Sequence, residues 1–510
     1  MKHPVKRILS ALLASLMLLP LAACGDTDSG TADTTDPATT TPAVTTEAET
    51  TPDPNLRINA KDNLPADLNL NGAEINVLAW DHEYSLFDIA GNEDISGDIV
   101  FDAVHDRNAA VEERLNCTLN TSLDPSAKWA DFAGILQRTV ASGDNTYSFM
   151  VAMGNSTIQY GNDKYFMDVS GLEYLDFEQP WWWKDSMDEL SLDGETYRYL
   201  VGDMQLSNYL ASGAVYFNKR LFENAIGSSD DLYKLVIDDG WTWDKLHEYC
   251  EVGAQDVNGD GIIGDGDIWG SRLGHDVLLN MMEFSSDVRR HTRDENGYVA
   301  IDYDAERAAV VTEKLYNLLY ETKGFSYDKS AYTEAQPFAS GNMLFYIERL
   351  VRTTEAELRD MEDDYGIIPM AKADDSQKDY VSLVQNAAMN VALPVTCPDP
   401  NATAAVLEAL YAESYRSVVE TFYETALKVK YSRDSYSGQC IDLIANSARR
   451  FVVYEYGFAW NNAGTVISTC LNAKNTNFAS IYAKMSPAFD KLLDKYMQDF
   501  EKQKAANAAG

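Results

Sequence analysis

A short acidic stretch carries the clearest ligand chemistry in the sequence. Residues 256–270 read DVNGDGIIGDGDIWG, with carboxylates at alternating positions. Asp256, Asn258 and Asp260 fall at positions 1, 3 and 5 of a twelve-residue calcium loop. Gly261 falls at the turning position 6. Hard oxygen ligands at this spacing suit calcium, so the stretch predicts a calcium site.

The second half of the loop completes the predicted ligand set. The backbone carbonyl of Ile262 would occupy position 7, with its side chain in the core, and Asp267 would occupy position 12. Asp is shorter than the usual Glu at position 12, and residues 268–270 are typical of a strand, so an exiting EF-hand helix is not expected. A turn rich in Asx and Gly without metal is the alternative.

The glycines of the same stretch also match a phosphate-binding pattern. Gly259, Gly261 and Gly264 fit G-x-G-x-x-G, in which backbone amides approach a pyrophosphate at the start of a helix. Here the stretch follows a helical pattern rather than a strand, and its aspartates would repel phosphate. We therefore favour the calcium interpretation.

The N-terminus predicts export and a lipid anchor. Basic residues precede an apolar run that is short and interrupted by Pro20, which is typical of a secretory signal peptide over residues 1–23. The residues Leu-Ala-Ala-Cys that end at Cys24 resemble a bacterial lipobox, in which this cysteine is diacylated and becomes the new N-terminus. We expect a protein held on the extracellular face of the cell membrane by acyl chains, with secretion without an anchor as the alternative.

Composition divides the rest of the chain. Residues 24–65 contain few large apolar side chains and predict a disordered tether, because such a segment cannot bury enough surface to fold. The remaining part, about 445 residues, is too long for a single core, so at least two lobes are expected. With 41 basic and 80 acidic residues the net charge is −39, which excludes nucleic acid as a partner.

Apolar runs alternate with helical patterns after the tether. The runs over residues 74–80, 147–153, 213–218, 342–348, 365–370 and 387–393 predict buried strands. Residues 101–115 repeat apolar side chains at spacings of three and four and predict an amphipathic helix. A second helix begins after Thr242, a candidate N-cap, and leads to the acidic loop. The alternation indicates parallel sheets covered by helices.

Several motifs follow one another in a characteristic order. They are RNAAVEERLN (107–116), GETYRYLVGD and GAVYFNKRLFEN (194–224), GWTWDKL (240–246), the acidic loop, FASGNMLFYIER (338–349), DYGIIPMAKADDSQKDYVS (364–382) and YSRDSYSGQCIDLI (431–444). In this order, downstream of the lipobox, they resemble the extracellular solute-binding proteins of family 1, the lipoproteins that feed carbohydrate ABC importers in Gram-positive bacteria. The resemblance covers nearly all of the chain after the tether.

This resemblance implies an α/β, type II periplasmic-binding-protein-like fold with a ligand cleft between two lobes that close around a hinge. The first lobe would hold residues 66–206 plus about 385–430, and the second would hold 207–384 plus about 431–510. The implied partners are a small-molecule solute, most simply a carbohydrate, and the permease subunits of an ABC transporter, with the chain itself a monomer. In similar proteins the acidic segment lies on one lobe away from the cleft, so its calcium would be structural.

Loops at strand ends supply the ligand contacts in folds of this kind. The loop after the first strand offers Trp80, Asp81 and Tyr84, and the loop after the next offers Asn155 and Ser156. Aromatic faces stack on pyranose rings, and Asp and Asn side chains form hydrogen bonds with hydroxyl groups. Packing of Trp80 between the lobes is the alternative to a ligand contact.

Further candidates lie later in the chain. Tyr209 stands near the first crossing between lobes, and His275 follows the acidic loop and a predicted strand. Tyr346, Glu348 and Arg349 end another strand, near where similar proteins place an aromatic residue of the cleft. A salt bridge within the protein is the alternative for Glu348 and Arg349.

Two other functions stay open at this point. No G-x-S-x-G, H-E-x-x-H, Walker loop or usable Cys/His pairing is present, so we do not expect an enzyme. Paired carboxylates of a glycosidase cannot be recognised by spacing, so an exported carbohydrate-active enzyme is one alternative. A calcium-dependent adhesion or scaffold protein of the cell surface is the other.

Overall fold

A computed structural model describes residues 57–91, 98–158, 164–329, 335–423 and 435–509. The predicted signal peptide, Cys24 and most of the predicted tether lie outside these residues. Within the described ranges, no helix is both long enough and apolar enough to cross a membrane.

The folded body begins earlier than composition indicated. Residues 57–65, the end of the predicted tether, pack on the first lobe. Asp62 accepts hydrogen bonds from both terminal nitrogens of Arg114 at 2.7 Å and forms an ion pair with Arg416 at 3.4 Å. The side chain of Leu64 is buried beside them. These contacts are mainly ionic, and a scan for large apolar residues does not detect ionic contacts.

The strands of the described residues fall into two main sheets and two small ones. They are β1 (Ala73–Trp80), β2 (Cys117–Asp124), β3 (Phe149–Met153), β4 (Gly213–Asn218), β5 (Trp269–Leu273), β6 (His291–Arg293), β7 (Val299–Ile301), β8 (Phe325–Tyr327), β9 (Met343–Arg349), β10 (Tyr365–Pro369), β11 (Ser382–Leu383), β12 (Met389–Ala392) and β13 (Ala448–Arg449). All six apolar runs that predict strands form strands, namely β1, β3, β4, β9, β10 and β12.

Helices fill the intervals between these strands. They are α1 (Glu83–Ser85), α2 (Ile99–Leu115), α3 (Trp129–Ala141), α4 (Gly154–Ile158), α5 (Lys184–Leu190), α6 (Ser207–Leu210), α7 (Lys219–Ala225), α8 (Ser229–Ile237), α9 (Trp243–Gly253), α10 (Asp276–Phe284), α11 (Ala305–Tyr320), α12 (Gln336–Ala339), α13 (Ala356–Arg359), α14 (Pro400–Glu413), α15 (Ser435–Ser447), α16 (Val452–Glu455), α17 (Val466–Asn472) and α18 (Phe478–Ala509). Short turns of tighter or wider helix cover Arg57–Asn59, Leu86–Ala90, Leu350–Thr354 and Ser414–Val418.

Local sequence explains where the two predicted helices begin and end. Asp98 caps the start of α2, and Asn116 ends it in the left-handed conformation, with a φ of 49°. The Thr242 side chain accepts a hydrogen bond from the Lys245 amide and caps α9, as its position predicts. One residue departs from the expected pattern: Arg107 is buried on the inner face of α2, where its guanidinium donates to the Ser414 hydroxyl at 3.1 Å.

The two main sheets are mixed rather than purely parallel. The first has the order β12-β3-β1-β2, and β12 runs antiparallel to β3. The second has the order β10-β4-β9-β5-β8, and β4 runs antiparallel to both of its neighbours. The expectation of parallel sheets is therefore wrong for β4 and β12. Each of these strands enters its sheet directly after the chain has crossed between the two sheets, so its direction is not set by a βαβ unit.

Candidate functional site

Four strand ends converge where the two sheets face each other. β1 and β3 are parallel, so the loops that follow them lie side by side on the first lobe. β5 and β9 are also parallel, which places His275 near the end of β9 on the second lobe. The positive charge of Arg349 acts on His82 and Tyr84, so the loop after β1 lies near the end of β9. This region is the candidate ligand cleft.

A compact charge cluster forms the second-lobe side of the cleft. Glu348 accepts hydrogen bonds from Arg349 at 2.8 Å and from Arg352 at 2.6 Å, and its side chain is 1% exposed. Burial by itself would raise the pKa of Glu348, but the two guanidinium groups outweigh that effect and lower the pKa to about 2. Arg352 also pairs with Glu355. The predicted pair of Glu348 and Arg349 thus forms a salt bridge inside the protein.

The loop after β1 forms the opposite wall. Trp80 is buried, and its indole N–H donates to the Ser126 carbonyl at 2.7 Å. Its ring stacks on His82 with centroids 4.9 Å apart, so it presents little surface to a solute in this conformation. Asp81 is exposed. The hydroxyl of Tyr84 is buried and has no hydrogen-bond partner among the described residues.

His82 is held neutral between the lobes. Its Nδ1 accepts a hydrogen bond from the Tyr84 amide at 3.2 Å and caps α1. Burial, and secondarily the charge of Arg349, lower the pKa of His82 to about 4. His82 is not among the ligand contacts predicted above, but the structure places it in the β1 loop where the charge of Arg349 reaches it.

The loop after β3 supplies buried polar groups. It begins the short helix α4, in which every residue is buried. Asn155 is 8% exposed, and its carbonyl oxygen has no hydrogen-bond partner in the described part of the chain. Ser156 donates its hydroxyl hydrogen to the Trp129 carbonyl at 3.0 Å. The two predicted residues therefore lie together, with the Asn155 oxygen available to a donor.

An aromatic pair that was not predicted from the sequence lies beside this loop. The rings of Trp129 and Phe458 are stacked with centroids 5.7 Å apart and planes 25° apart. Phe458 is 52% exposed, although large apolar side chains are usually covered. Trp129 begins α3 and touches the β3 loop through Ser156. The local sequence around each residue gave no signal, because the pair forms only in the folded protein.

The other predicted contacts lie in different surroundings. The Tyr209 hydroxyl is buried and donates to Asp203 at 2.8 Å. Tyr346 is fully buried in a separate hydrophobic cluster with Tyr216 and Phe338, away from solvent. His275 is half-buried at the second-lobe end of the cleft, where the charges of Glu348 and Arg349 act on it. Ligand contact by Tyr209 and Tyr346 would require these side chains to leave the core.

Known structures are similar to this arrangement. The sugar-binding protein MalE from Xanthomonas citri is 12% identical over 84% of this chain and 99% of that chain, with a TM-score of 0.54. UgpB from Mycobacterium tuberculosis in complex with glycerophosphocholine is 11% identical over 82% of this chain and 99% of that chain, with a TM-score of 0.53.

A third structure is the ABC transporter associated binding protein from B. animalis subsp. lactis Bl-04 in complex with beta-1,6-galactobiose, 12% identical over 84% of this chain and 99% of that chain, with a TM-score of 0.52. This chain has the two-lobed periplasmic-binding-protein-like fold. The predicted fold class is confirmed, and these structural neighbours of the binding-protein fold are binding proteins rather than enzymes. No model of a known protein family matches the sequence, and no curated protein is similar to it in sequence.

The acidic loop lies on the second lobe of the binding-protein fold, between α9 and β5. Oxygens of Asp256, Asp260 and Asp267 lie within 4.8 Å of one another. Oxygens on opposite sides of a calcium ion, each at 2.3–2.6 Å, would be about 4.6–5.2 Å apart, so these residues fit the ion. The chain enters β5 directly after the loop, so the exiting helix of an EF-hand is absent here, as expected.

Backbone hydrogen bonds already shape this loop. Asp256 accepts from the amides of Gly259 at 2.6 Å and Gly261 at 2.7 Å, and Asp267 accepts from Gly264 at 2.8 Å. These amide bonds lower the pKa of Asp267, so the carboxylate is ready to bind a cation. The side chain of Ile262 is 70% exposed, which corrects the expectation that it points into the core. The acidic loop projects from the surface of the second lobe, so the Ile262 side chain has no hydrophobic core to pack against.

Proposed function

We propose that this chain is the substrate-binding lipoprotein of an ABC importer, which captures an extracellular solute by closure of two lobes and delivers it to a membrane permease. The observation that carries the proposal is that the β1 loop of the first lobe lies near the end of β9 on the second lobe, with the β3 and β5 loops beside them. Closure of two such lobes around a solute is the common movement of this architecture. Structural neighbours that bind sugars support a carbohydrate as the solute.

A neutral, hydroxyl-rich solute fits the charges of the cleft. The buried carboxylate of Glu348 is already neutralised by Arg349 and Arg352. A charged ligand would have to break such pairs or stay uncompensated, and both are costly in a buried site. The Tyr84 hydroxyl and the Asn155 carbonyl oxygen are buried without a partner among the described residues, and solute hydroxyls can supply the missing hydrogen bonds.

The outer part of the cleft fits the same class of solute. The exposed carboxylates of Asp81 and Glu83 can accept hydrogen bonds from hydroxyl groups. The stacked rings of Trp129 and Phe458 offer an apolar face to the C–H surface of a sugar ring. We therefore propose an oligosaccharide that reaches from the buried polar groups to this aromatic pair.

The anchor and the metal belong to the same proposal. A diacylated Cys24 would hold the protein on the extracellular face of the membrane, and a Cys24→Ala variant is expected to move to the soluble fraction. Calcium at Asp256, Asn258, Asp260, the Ile262 carbonyl and Asp267 would fix a loop of the second lobe. Extracellular calcium at about 10⁻³ M would keep a loop with a dissociation constant of about 10⁻⁴ M loaded, so the ion would act as a structural element rather than a sensor.

A titration with solutes tests the proposed function. The protein without residues 1–23 and with Cys24→Ala is mixed with mono- and oligosaccharides, and unfolding is followed by scanning fluorimetry. A solute at 100 times its dissociation constant stabilises the folded state by about 2.7 kcal/mol. Chromatography of the recovered solute shows whether it was bound unchanged. A cleaved oligosaccharide would favour the exported enzyme, and a response to calcium but to no solute would favour the surface scaffold.

Two matched variants locate the binding site. Tyr84→Phe and Tyr346→Phe each remove one buried hydroxyl that has no partner among the described residues. Tyr84 belongs to the β1 loop, whereas the Tyr346 ring is packed in the hydrophobic cluster with Tyr216 and Phe338. Tyr84→Phe is therefore expected to weaken solute binding about tenfold while Tyr346→Phe leaves it unchanged. The opposite result, measured by isothermal titration calorimetry, would move the site to the hydrophobic cluster around Tyr346.

A further inference from the structure

Among the residues that the structure describes, three segments that cross between the two sheets lie side by side. They are residues 207–212, which lead to β4, residues 384–388, which lead to β12, and residues 448–455, which follow α15. The Gln385 amide donates to the Ala211 carbonyl at 3.0 Å, and the Val384 amide donates to the Arg449 carbonyl at 2.9 Å. We call these three segments the hinge, because a rotation of one lobe against the other must change their backbone conformation.

One buried carboxylate joins the β1 loop to the hinge. Asp88 lies in the helical turn that directly follows this loop, and it is fully buried. Its two oxygens accept hydrogen bonds from the amide of Ser207 at 2.8 Å and from the hydroxyl of Ser207 at 2.6 Å. The same hydroxyl oxygen accepts from the Met389 amide at 3.0 Å. A continuous path of short bonds therefore runs from the β1 loop to the first hinge segment and on to the start of β12, which directly follows the second hinge segment.

A second buried carboxylate joins the hinge to the β3 loop. Arg450 and Glu455, both in the third hinge segment, form an ion pair at 2.7 Å with both side chains 0% exposed. The second oxygen of Glu455 lies against Gly154, where an added Cβ atom would be only 2.2 Å from it. The Gly154 amide donates to the Ala388 carbonyl at 3.0 Å, which ties the same loop to the second hinge segment.

We propose that Asp88 and Glu455 are positioning residues that couple the β1 and β3 loops to the hinge, so that contact of a solute with the loops and movement of the lobes are linked. The proposal rests on the solute-binding function proposed above. Buried charges of this kind seldom add stability beyond that of an apolar replacement, but their directed bonds fix one arrangement of the groups they join. Hydrogen bonds with Ser207 join Asp88 to the hinge. The ion pair with Arg450 fixes Glu455 in the hinge, and the Glu455 side chain meets the β3 loop by packing against Gly154.

Hydrogen exchange measured by mass spectrometry tests the first connection without any solute. Ser207→Ala removes the hydroxyl between Asp88 and Met389 but keeps the backbone bond. We expect exchange to rise about fivefold or more in peptides over residues 81–86, which are separated from Ser207 by Asp88 in this path of hydrogen bonds. Ser447→Ala is the matched control, since it removes a buried hydrogen bond to Ser382 at 3.0 Å, which joins the residues just before the second and third hinge segments rather than a strand-end loop. An increase confined to residues 88 and 389 would overturn the connection.

The second connection has its own pair of variants. Glu455→Gln keeps the size of the side chain, and we expect faster exchange over residues 154–158. Glu283→Gln is the control, because Glu283 is also a fully buried glutamate beside an arginine but bonds to Ser468 in the second lobe. Equal exchange over residues 154–158 in both variants would assign Glu455 a merely structural role. These measurements need no ligand, so their failure is distinct from a failure of the sugar-binding proposal.

Discussion

Trp129 and Phe458 come from distant parts of the chain and stack beside the β3 loop with ring centroids 5.7 Å apart. Phe458 is 52% exposed, so about half of its surface is in contact with solvent rather than with the core. An aromatic ring that contributes little to the core and stands next to a ligand cleft is more useful for contact with a solute than for stability.

The first prediction concerns this pair. Phe458→Ala is expected to weaken oligosaccharide binding by about 1–2 kcal/mol, or roughly 5- to 30-fold, because an aromatic stacking surface is lost. Stability should change by less than about 1 kcal/mol, because the ring is largely exposed. Calorimetric titration and urea unfolding measure the two effects. Ile237→Ala, which also truncates a partly exposed apolar side chain, serves as the control and should leave binding unchanged.

A pH dependence follows from His82. Its pKa is about 4 in the folded protein and 6.5 in an exposed chain, so the unfolded state takes up the proton first. The stability contribution is therefore complete above pH 6.5 and is lost as the pH falls from 6.5 towards 4. Between pH 7.5 and pH 5 the loss should be about 1–2 kcal/mol, after allowance for partial solvent screening.

A comparison of variants separates the contribution of the His82 imidazole to the pH dependence of stability from the contributions of the carboxylates. Urea unfolding at several pH values should give a flatter stability profile for His82→Gln than for the unchanged protein. His105→Gln replaces an exposed imidazole and should keep the original slope. Parallel profiles for the unchanged protein and His82→Gln would contradict the assignment.

Gly154 is predicted to be irreplaceable. A Cβ atom at this position would lie 2.2 Å from Glu455 Oε2 and 2.9 Å from Arg450 Nη2, inside a buried ion pair that cannot move into solvent. Gly154→Ala should therefore cost about 2–4 kcal/mol in unfolding free energy. Gly171→Ala, where no atom lies within 4 Å of the new Cβ, should stay within about 0.5 kcal/mol of the unchanged protein.

Calcium binding can be tested by removing one ligand. Asp260 accepts a local amide bond from Ile262, so Asp260→Asn should leave the stability of the metal-free protein almost unchanged. In the unchanged protein, 2 mM calcium should add about 1.8 kcal/mol if the dissociation constant is about 10⁻⁴ M. Asp260→Asn should lose this gain. Asp265→Asn, in the same loop but outside the three converging carboxylates, should retain it.

Local chemistry explains what could be predicted. The strands β1, β4 and β9 follow from continuous apolar runs, and the start of α9 follows from a capping threonine. The Asx and Gly residues of the acidic loop predict its shape for the same reason, since these side chains bond to amides a few residues away.

Directions and distant contacts could not be predicted in this way. β4 and β12 are antiparallel to their neighbours because the chain reaches them by crossing between the lobes. No short sequence pattern indicates where such a crossing occurs. The exposed position of Ile262 depends on the absence of a neighbouring layer beneath the loop.

The sequence by itself thus determined the elements, the acidic loop and the strand-end loops that carry Asp81, Tyr84 and Asn155, because periodicity, capping and turn chemistry act over a few residues. Only the tertiary structure decided that Trp80 is covered, that Phe458 joins Trp129, and that a buried glutamate stands where Gly154 has no side chain. These relationships join residues that are far apart in the sequence, so they form only when the chain has folded.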